Sequence, residues 1–227
     1  IFAMATGTGK TITALNCVLE LYKVTNYYKA DILVPTVGLA EQWEAESKKF
    51  NYRNIIKINS ETDWQANLAL LDISKHFTET SYIIIVTYAS FYRPRFQDFF
   101  KRLHNETVLI GDEVHNMGSP TISGLLPNIH LKKRIGLSAT PKRIYDEEGG
   151  EALEIFFSDK EPYVYSYSME EAIKNHVLCP YLYFPHIIKL TDVEFEEYAN
   201  ISKQLAKFFD GETKKYKNES LVEILLL

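Results

Sequence analysis

Apolar and polar positions alternate along the first two thirds of the chain in a pattern that predicts strands and helices in turn. Short apolar runs, typical of buried strands, occur at residues 1–5, 30–35, 55–59, 82–87, 107–112 and 133–138. Segments with apolar residues at helical spacing lie between them, at residues 11–22, 37–50, 64–77 and 95–103. The run from Tyr82 to Thr87 is continuously apolar and β-branched, as expected for a strand buried on both faces. Strands that alternate with helices predict an α/β fold with a mostly parallel central sheet.

The pattern changes after Ala139. Residues 146–150 are acidic and glycine-rich, which favours a mobile loop. Tyrosine-rich strands are predicted at residues 163–167 and 181–188, and a short helix at residues 169–176. Thr191 precedes a longer helical segment that extends to about residue 209, and Glu194 stands three residues after it, as in a capping box. Residues 214–218 are polar and are expected to be exposed.

These patterns predict one domain followed by an incomplete extension. We expect the main α/β domain in residues 1–145, a linker in residues 146–190, and the helical start of a second domain or insertion in residues 191–227. Both ends of the sequence lie inside apolar runs, so we expect further material on either side in a longer protein. With 227 residues and 46% hydrophobic composition, the chain can bury one sizeable core.

A glycine-rich turn lies between the first predicted strand and the first predicted helix. Its glycines allow backbone N–H groups to turn around a phosphate chain, and the helix N-terminus adds the positive end of its dipole. Lys10 is placed to reach the β- and γ-phosphates of a nucleotide and to act in catalysis, and the Thr11 hydroxyl is placed to bind Mg²⁺. Met4 stands where the general phosphate-loop pattern has a glycine. The predicted nucleotide site therefore consists of Thr6, Gly7, Thr8, Gly9, Lys10 and Thr11.

An acidic pair, Asp112 and Glu113, stands at the end of the strand predicted at residues 107–112. Open α/β sheets bind their ligands at the carboxyl ends of the strands. We expect Asp112 to hold Mg²⁺, directly or through water. We expect Glu113 to orient and deprotonate the water that attacks in phosphoryl transfer. His115, two residues later, is either a structural histidine or a coupling residue.

Taken in order, three motifs resemble motifs I, II and III of the superfamily 2 helicases: the glycine-rich turn, Asp112-Glu113-Val114-His115 and Ser138-Ala139-Thr140-Pro141. The Asp-Glu-x-His box places this resemblance in the branch that includes the XPB-like DNA repair helicases and the restriction-enzyme motor subunits. Superfamily 2 motors relax the position that Met4 occupies. The resemblance covers residues 1 to about 145. Two further stretches are similar to motif Ia and to the Thr-Tyr segment after it, namely Leu33-Val34-Pro35-Thr36 with Leu39, Gln42 and Trp43, and Val86 to Phe91.

The resemblance implies a RecA-like domain that binds ATP with Mg²⁺. It implies that His115, Ser138 and Thr140 couple the nucleotide state to movement between domains. It also implies that Thr36, Thr87 and Tyr88 approach a DNA backbone, mainly at its phosphates. The stretch from residue 169 to 183 is similar to the passage between the two motor domains of restriction-type members. The aromatic residues from 163 to 184 are expected in the core, with base stacking as the alternative, and Lys132-Lys133-Arg134 on a solvated face.

Composition narrows the class of protein. The formal net charge of −5 argues against a surface that binds nucleic acid mainly through positive charge. A local basic strip is still compatible with this net charge. The two cysteines, Cys17 and Cys179, lie far apart, and the sequence has neither a signal peptide nor a long apolar run. We therefore expect a cytoplasmic protein with no disulfide framework and no membrane partner. The six histidines show no zinc-site spacing.

The expected function is that of an ATP-dependent helicase or translocase on DNA, with duplex DNA favoured, in restriction, phage defence or repair. A nucleotide-dependent scaffold without motor activity and an RNA helicase remain as alternatives. The resemblance implies as partners a second RecA-like domain of the same polypeptide, which supplies an arginine finger, and nuclease or other defence or repair subunits. No second motif set follows residue 145, so this chain alone is expected to bind nucleotide weakly and to hydrolyse it slowly.

Overall fold

The computed structural model describes residues 1–60, 80–143, 146–210 and 215–216, with side chains for all of these except 207–210 and 215–216. The chain divides into two compact units, Ile1–Pro180 and Tyr181–Leu227. The first unit extends well into residues 146–190, where a linker was expected.

A seven-stranded sheet forms the centre of the first unit. Its strands are β1 (Phe2–Met4), β2 (Lys29–Val34), β3 (Ile55–Ile58), β4 (Tyr82–Thr87), β5 (Val108–Asp112), β6 (Lys133–Ser138) and β7 (Tyr165–Tyr167). The spatial order is β3-β4-β2-β5-β6-β1-β7, and every neighbouring pair runs parallel. The sheet is the parallel α/β sheet predicted from the sequence, and the six strands predicted before residue 139 are confirmed.

Both faces of the sheet are covered by a hydrophobic core. Each strand contributes to both cores, because its successive side chains point to opposite sides. The interior strands β2 and β4 are buried at every position, which explains the continuous apolar run of β4. Strand β2 also buries two charged residues, Lys29 and Asp31. On one face Ile32 packs in a core with Leu15 and Trp43. On the other face Leu33 belongs to a core that includes Phe96.

Six of the seven helices described in the first unit lie between successive strands, and the seventh follows the last strand. They are α1 (Lys10–Thr25), α2 (Val37–Lys49), α3 (Tyr88–Phe91), α4 (Pro94–Phe100), α5 (Pro120–Ser123), α6 (Glu147–Phe157) and α7 (Met169–Lys174), with 3-10 turns at Val114–Gly118 and Leu126–Asn128. The helices predicted at residues 11–22, 37–50, 95–103 and 169–176 are confirmed, with boundaries shifted by a few residues. The helix predicted at residues 64–77 lies outside the described residues.

Helix α6 begins where a mobile loop was predicted, so that prediction was wrong. The Asp146 side chain accepts a hydrogen bond from the backbone N–H of Gly149 at 2.9 Å and caps the helix. The acidic residues Glu147 and Glu148 occupy the first turn, where the helix dipole favours negative charge. Leu153 and Phe156 bury the helix against the sheet core. Tertiary packing and a good cap therefore outweigh the low helix propensity of the two glycines.

Arg134 is another departure from the sequence prediction, which placed residues 132–134 on a solvated face. Lys132 is exposed, but the Arg134 guanidinium lies 3.8 Å from the centre of the Phe156 ring. Arg134 also donates to the backbone carbonyl oxygens of Leu131 at 2.7 Å and Ile129 at 3.0 Å. Arg134 Nη1 donates to the Phe156 carbonyl of α6 as well, so this one side chain connects α6 to the turn before β6.

The described part of the second unit contains one long helix, α8 (Asp192–Phe208), and a short antiparallel pair, β8 (Phe209–Asp210) with β9 (Lys215–Tyr216). The predicted capping box is confirmed, since Glu194 N–H donates to Thr191 Oγ1 at 3.3 Å and Thr191 N–H donates to the Glu194 carboxylate at 2.8 Å. Of the polar residues 214–218, only the backbone of 215 and 216 is described. No helix in the described part of the chain has the length and apolarity needed to cross a bilayer.

The aromatic region before α8 differs from its prediction. Strand β7 confirms the first tyrosine-rich strand, but residues 181–188 form neither helix nor strand. Tyr181, Tyr183 and Phe184 are exposed to between 63% and 79%, so they do not lie in the core that the sequence suggested. Their chain segment has no neighbouring strand to pair with among the described residues, and an isolated extended segment leaves its side chains in solvent.

Candidate functional site

The glycine-rich turn lies at the carboxyl end of β1 and leads directly into α1. Gly7 and Gly9 have φ angles of 83° and 91°, in the left-handed region that side chains other than glycine's rarely adopt. Thr8 Oγ1 donates to the Ala5 carbonyl at 2.6 Å, and Lys10 Nζ donates to the Met4 carbonyl at 3.3 Å. These contacts fold the turn back over the end of β1.

The N-terminus of α1 is suited to an anion. Among the described residues no side chain caps this helix, and its first turn contains no acidic residue. The first N–H groups of a helix have no partner within the helix, and the dipole places positive charge there. Gly9 as the N-cap and Lys10 and Thr11 as the first helical residues therefore form a group of donors that a phosphate chain can occupy.

The acidic pair lies at the carboxyl end of the central strand β5. Asp112 is buried, and its two carboxylate oxygens each accept one hydrogen bond. Trp43 Nε1 donates to Oδ2 at 2.8 Å, and the backbone N–H of Glu113 donates to Oδ1 at 3.0 Å. Burial raises the pKa of Asp112, and the hydrogen bond from Trp43 acts in the opposite direction. The remaining lone pairs of the carboxylate are free to hold a cation.

Glu113 has a φ of 46° and a ψ of 58°, which is left-handed backbone in a residue with a side chain. Such a conformation costs about 1–3 kcal/mol and persists only where its surroundings hold it. Here the Glu113 carbonyl accepts bonds from the backbone N–H and the Nδ2 of Asn116, both at 2.9 Å. Strained backbone of this kind clusters at functional sites, where it fixes the direction of a side chain.

Ser138, at the end of β6, contacts both functional side chains of the acidic motif. Its hydroxyl donates to Glu113 Oε2 at 3.3 Å and lies 3.1 Å from His115 Nδ1. The same oxygen accepts the backbone N–H of Thr140 at 3.1 Å. The structure thus brings His115, Ser138 and Thr140 together with Glu113, as three members of one hydrogen-bond network. Ser138 is buried, whereas Thr140 is exposed.

One cavity of about 330 Å³ joins the glycine-rich turn to the acidic pair. Its donors and carboxylates suit a triphosphate with Mg²⁺, because the cradle supplies N–H groups and a lysine while Thr11 and Asp112 supply oxygen ligands. One wall comes from α2, which the sequence did not assign to the site. The lining residues are Thr6, Gly7, Gly9, Lys10, Thr11, Ile12, Leu39, Gln42, Glu46, Asp112 and Glu113.

The three residues expected to contact DNA differ in their exposure and in their hydrogen-bond partners. Thr36 is exposed and caps α2 by accepting the backbone N–H of Leu39 at 3.2 Å. Thr87 is buried, with its hydroxyl donating to Ser90 Oγ at 3.1 Å. Tyr88 is buried as well, and its hydroxyl donates to the backbone carbonyl of Asp112 at 2.8 Å. Both side chains point into the protein, and contact of Thr87 or Tyr88 with DNA stays a prediction.

Sequence reasoning missed two residues that support the acidic motif. Trp43 appeared only as part of a motif on α2, yet its indole reaches Asp112 across 69 residues of sequence. Arg143 donates to the backbone carbonyl of His115 and, through Nε, to Asp146 Oδ2 at 2.9 Å. Arg143 therefore connects the acidic motif to the N-terminus of α6. The resemblance that aligned Trp43 with motif Ia was the one sequence signal for either residue.

Comparison with known proteins identifies the family. The family described as "Type III restriction enzyme, res subunit" (ResIII) matches residues 1–143, which is more than half of the chain. The chain belongs to the ResIII family. The superfamily 2 resemblance seen in the motifs is thereby confirmed, because the relatives of this ResIII chain are helicases and translocases of that superfamily.

Two curated relatives and one solved structure are similar to the ResIII chain. It is 28% identical over 218 residues to the DNA 3'-5' translocase XPB2 of Sulfurisphaera tokodaii, covering 96% of this chain and 43% of the relative. It is 30% identical over 151 residues to the putative DNA 3'-5' helicase Rad25 of Haloarcula marismortui, covering 65% of this chain and 21% of the relative. The chain therefore spans less than half the length of either relative.

The solved structure is a nuclease-deletion mutant of the Type ISP restriction-modification enzyme LlaGI in complex with a DNA substrate mimic. Its TM-score is 0.53 at 20% identity, with 92% of this ResIII chain and 20% of that chain covered. At this identity the likeness concerns the fold alone. Together with the all-parallel sheet it supports the RecA-like domain that the motifs implied.

Proposed function

We propose that this chain is the ATP-binding and ATP-hydrolysing motor domain of a superfamily 2 DNA helicase or translocase that acts on duplex DNA. The observation that carries the proposal is the single cavity in which the glycine-rich turn faces Asp112 and Glu113. A helix N-terminus alone, or an acidic pair alone, occurs in many folds. Both together at the carboxyl edge of one parallel sheet form the arrangement that phosphoryl transfer requires.

The residues of the cavity divide the chemistry between them. The turn from Thr6 to Thr11 cradles the phosphates with backbone N–H groups, and Lys10 exchanges its bond to the Met4 carbonyl for the β- and γ-phosphates. Thr11 and Asp112 would hold Mg²⁺, which would neutralise charge on the phosphate oxygens. Glu113 orients the attacking water and accepts its proton. Hydrolysis by this domain therefore depends on positioning and on electrostatic stabilisation.

The network around Ser138 is suited to couple the nucleotide state to motion. Glu113 shares the Ser138 hydroxyl with His115, and Thr140 is attached to the same oxygen through its backbone. A change at the carboxylate of Glu113 that follows hydrolysis reaches the exposed Thr140 through a single hydroxyl group. We assign the coupling role to His115, Ser138 and Thr140 on this ground.

A DNA substrate is proposed from the relatives and from Thr36. XPB2 and Rad25 are named as a DNA translocase and a putative DNA helicase, and LlaGI is described in complex with a DNA substrate mimic. Thr36 is exposed at the N-terminus of α2, where a hydroxyl and free N–H groups can contact a phosphate without reading sequence. Restriction, phage defence and repair are the settings we propose, with a second RecA-like domain and nuclease or repair subunits as partners.

The test is ATP hydrolysis by the full-length protein without nucleic acid and with duplex DNA, single-stranded DNA or RNA. We expect the strongest stimulation from duplex DNA. Glu113→Gln serves as the control in each case and should lower the rate by about 10²–10⁴-fold, because it removes the general base. Strongest stimulation by RNA would indicate an RNA helicase. Tight nucleotide binding without stimulation by any polymer would contradict the motor and favour a nucleotide-dependent scaffold.

A further inference from the structure

Asp112 is held by three donors that come from three different parts of the fold. Trp43 of α2 donates to Oδ2 at 2.8 Å, and the backbone N–H of Glu113 donates to Oδ1 at 3.0 Å. Tyr88 of α3 donates to the backbone carbonyl of Asp112 at 2.8 Å. Of the three, only Trp43 is a side chain that contacts the carboxylate itself.

The chemistry of the indole group makes this contact directional. An indole N–H only donates hydrogen bonds, and the oxygens of an ionised carboxylate only accept them, so the bond between Trp43 and Asp112 has one possible direction. The Trp43 ring is fully buried in the core between α1, α2 and the sheet, which leaves it no room to turn. With one lone pair of each oxygen taken, the carboxylate plane of Asp112 is fixed, and so are the directions of the lone pairs that remain for a cation.

We propose that Trp43 is a positioning residue that orients Asp112 to hold Mg²⁺. The inference rests on the proposed function, because it concerns the metal of the same nucleotide site. Outer partners that orient a metal ligand contribute about 10–100-fold to metal affinity or activity when they are tested by mutation. The simpler interpretation is that Trp43 only fills the core and donates to Asp112 because a buried indole N–H needs an acceptor. The two interpretations differ in the metal dependence of nucleotide binding.

The experiment titrates Mg²⁺ while a fluorescent ATP analogue binds to the full-length protein in a Glu113→Gln background, which prevents turnover. Trp43→Phe keeps an aromatic ring in the core and removes the N–H group. We expect it to raise the Mg²⁺ concentration at half-saturation by about 10–100-fold. Binding of the analogue in EDTA should stay unchanged, because the phosphate cradle does not contact the indole.

Two control variants separate positioning from packing. Ile83→Ala removes volume from the same core without removing a hydrogen bond, and it should leave the Mg²⁺ midpoint unchanged. Tyr88→Phe removes the bond to the Asp112 backbone and leaves both bonds to the carboxylate, so its effect should be less than about threefold. An equal shift in Trp43→Phe and Ile83→Ala would overturn the proposal, as would an unchanged midpoint in Trp43→Phe.

If Trp43→Phe does not fold, the N–H group can be removed without changing the ring shape. Site-specific incorporation of β-(3-benzothienyl)alanine at position 43 of the full-length protein substitutes sulfur for N–H there, and the same shift in the Mg²⁺ midpoint is expected. Failure of the unsubstituted protein to bind the analogue with Mg²⁺ would instead contradict the proposed function, so the two failures are distinguishable.

Discussion

Asp31 lies on the interior strand β2 with its carboxyl group fully buried. Neither of its oxygens has a hydrogen-bond partner among the described residues. Burial raises the pKa of this group well above its usual value, because a buried carboxylate without a partner loses its hydration and gains nothing in return. Asp31 therefore stabilises the fold less than a neutral residue of the same shape would.

The sign of the pH dependence follows from the direction of this shift. Below the unfolded-state pKa of 3.8 Asp31 is protonated in both states and has no ionisation penalty. As the pH rises from there through the folded-state pKa, the unfolded state loses its proton first and stability falls. We expect Asp31→Asn to raise the free energy of unfolding at pH 7 by about 1–3 kcal/mol. The gain should disappear near pH 4.

Urea denaturation of both proteins at a series of pH values measures this effect. Asp98→Asn is the matched control, because the Asp98 side chain is 77% exposed and its substitution should change stability little at any pH. A less stable Asp31→Asn protein at pH 7 would contradict this prediction.

Single residues also show how far the sequence could predict the site. Gly7, Lys10, Asp112 and Glu113 could be recognised, because a strand, a turn and a helix that follow one another in sequence place them. The contact of Trp43 with Asp112 could not be predicted, since it spans 69 residues and depends on how α2 packs on the sheet. The contact of Tyr88 with the end of β5 could not be predicted either, for the same reason.

At the scale of elements, periodicity predicted the strands well and the region after residue 139 poorly. Buried parallel strands can be recognised in a sequence as apolar runs, because both of their faces are covered. Helix α6 has two glycines in its first turns, which favours a loop when the segment is considered alone. Its stability comes from Asp146 as cap and from Leu153 and Phe156 in the core, and only the second of these is a tertiary effect.

The cap of α6 yields a prediction at this scale. Asp146→Ala removes the bond to Gly149 N–H and the ion pair with Arg143, whose Nη2 lies 2.8 Å from the Asp146 carboxylate. We expect the free energy of unfolding to fall by about 1–2 kcal/mol. Glu148→Ala, in the exposed first turn of the same helix, should lower it by about 0.5 kcal/mol or less. Urea denaturation compares the two, and equal losses would mean that Asp146 acts only through its charge.

At the scale of the molecule, the candidate site residues lie together at the carboxyl edge of the sheet. Strands β1, β5 and β6 end there in the glycine-rich turn, the acidic pair and Ser138, while β2 ends just before Thr36. A parallel sheet places these groups near one another, because the carboxyl ends of all its strands lie at the same edge. An acidic chain with a net charge of −5 can therefore still present an anion site, since local N–H groups and Lys10 determine the field at that edge.

In isolation, this chain represents less than half the length of the relatives that it matches. The chain covers 43% of XPB2 and 21% of Rad25, and residues 146–227 contain no second set of the motor motifs. Superfamily 2 motors receive an arginine finger from their second RecA-like domain, and the loss of such a finger lowers phosphoryl-transfer rates by about 10³–10⁵-fold. We expect residues 1–227 to bind nucleotide weakly and to hydrolyse it at least about 10³-fold more slowly than the full-length protein with DNA. Single-turnover hydrolysis of radiolabelled ATP measures both rates, with Glu113→Gln in each protein as the background. Equal rates would mean that the cavity between the glycine-rich turn and the acidic pair completes catalysis without an arginine from another domain.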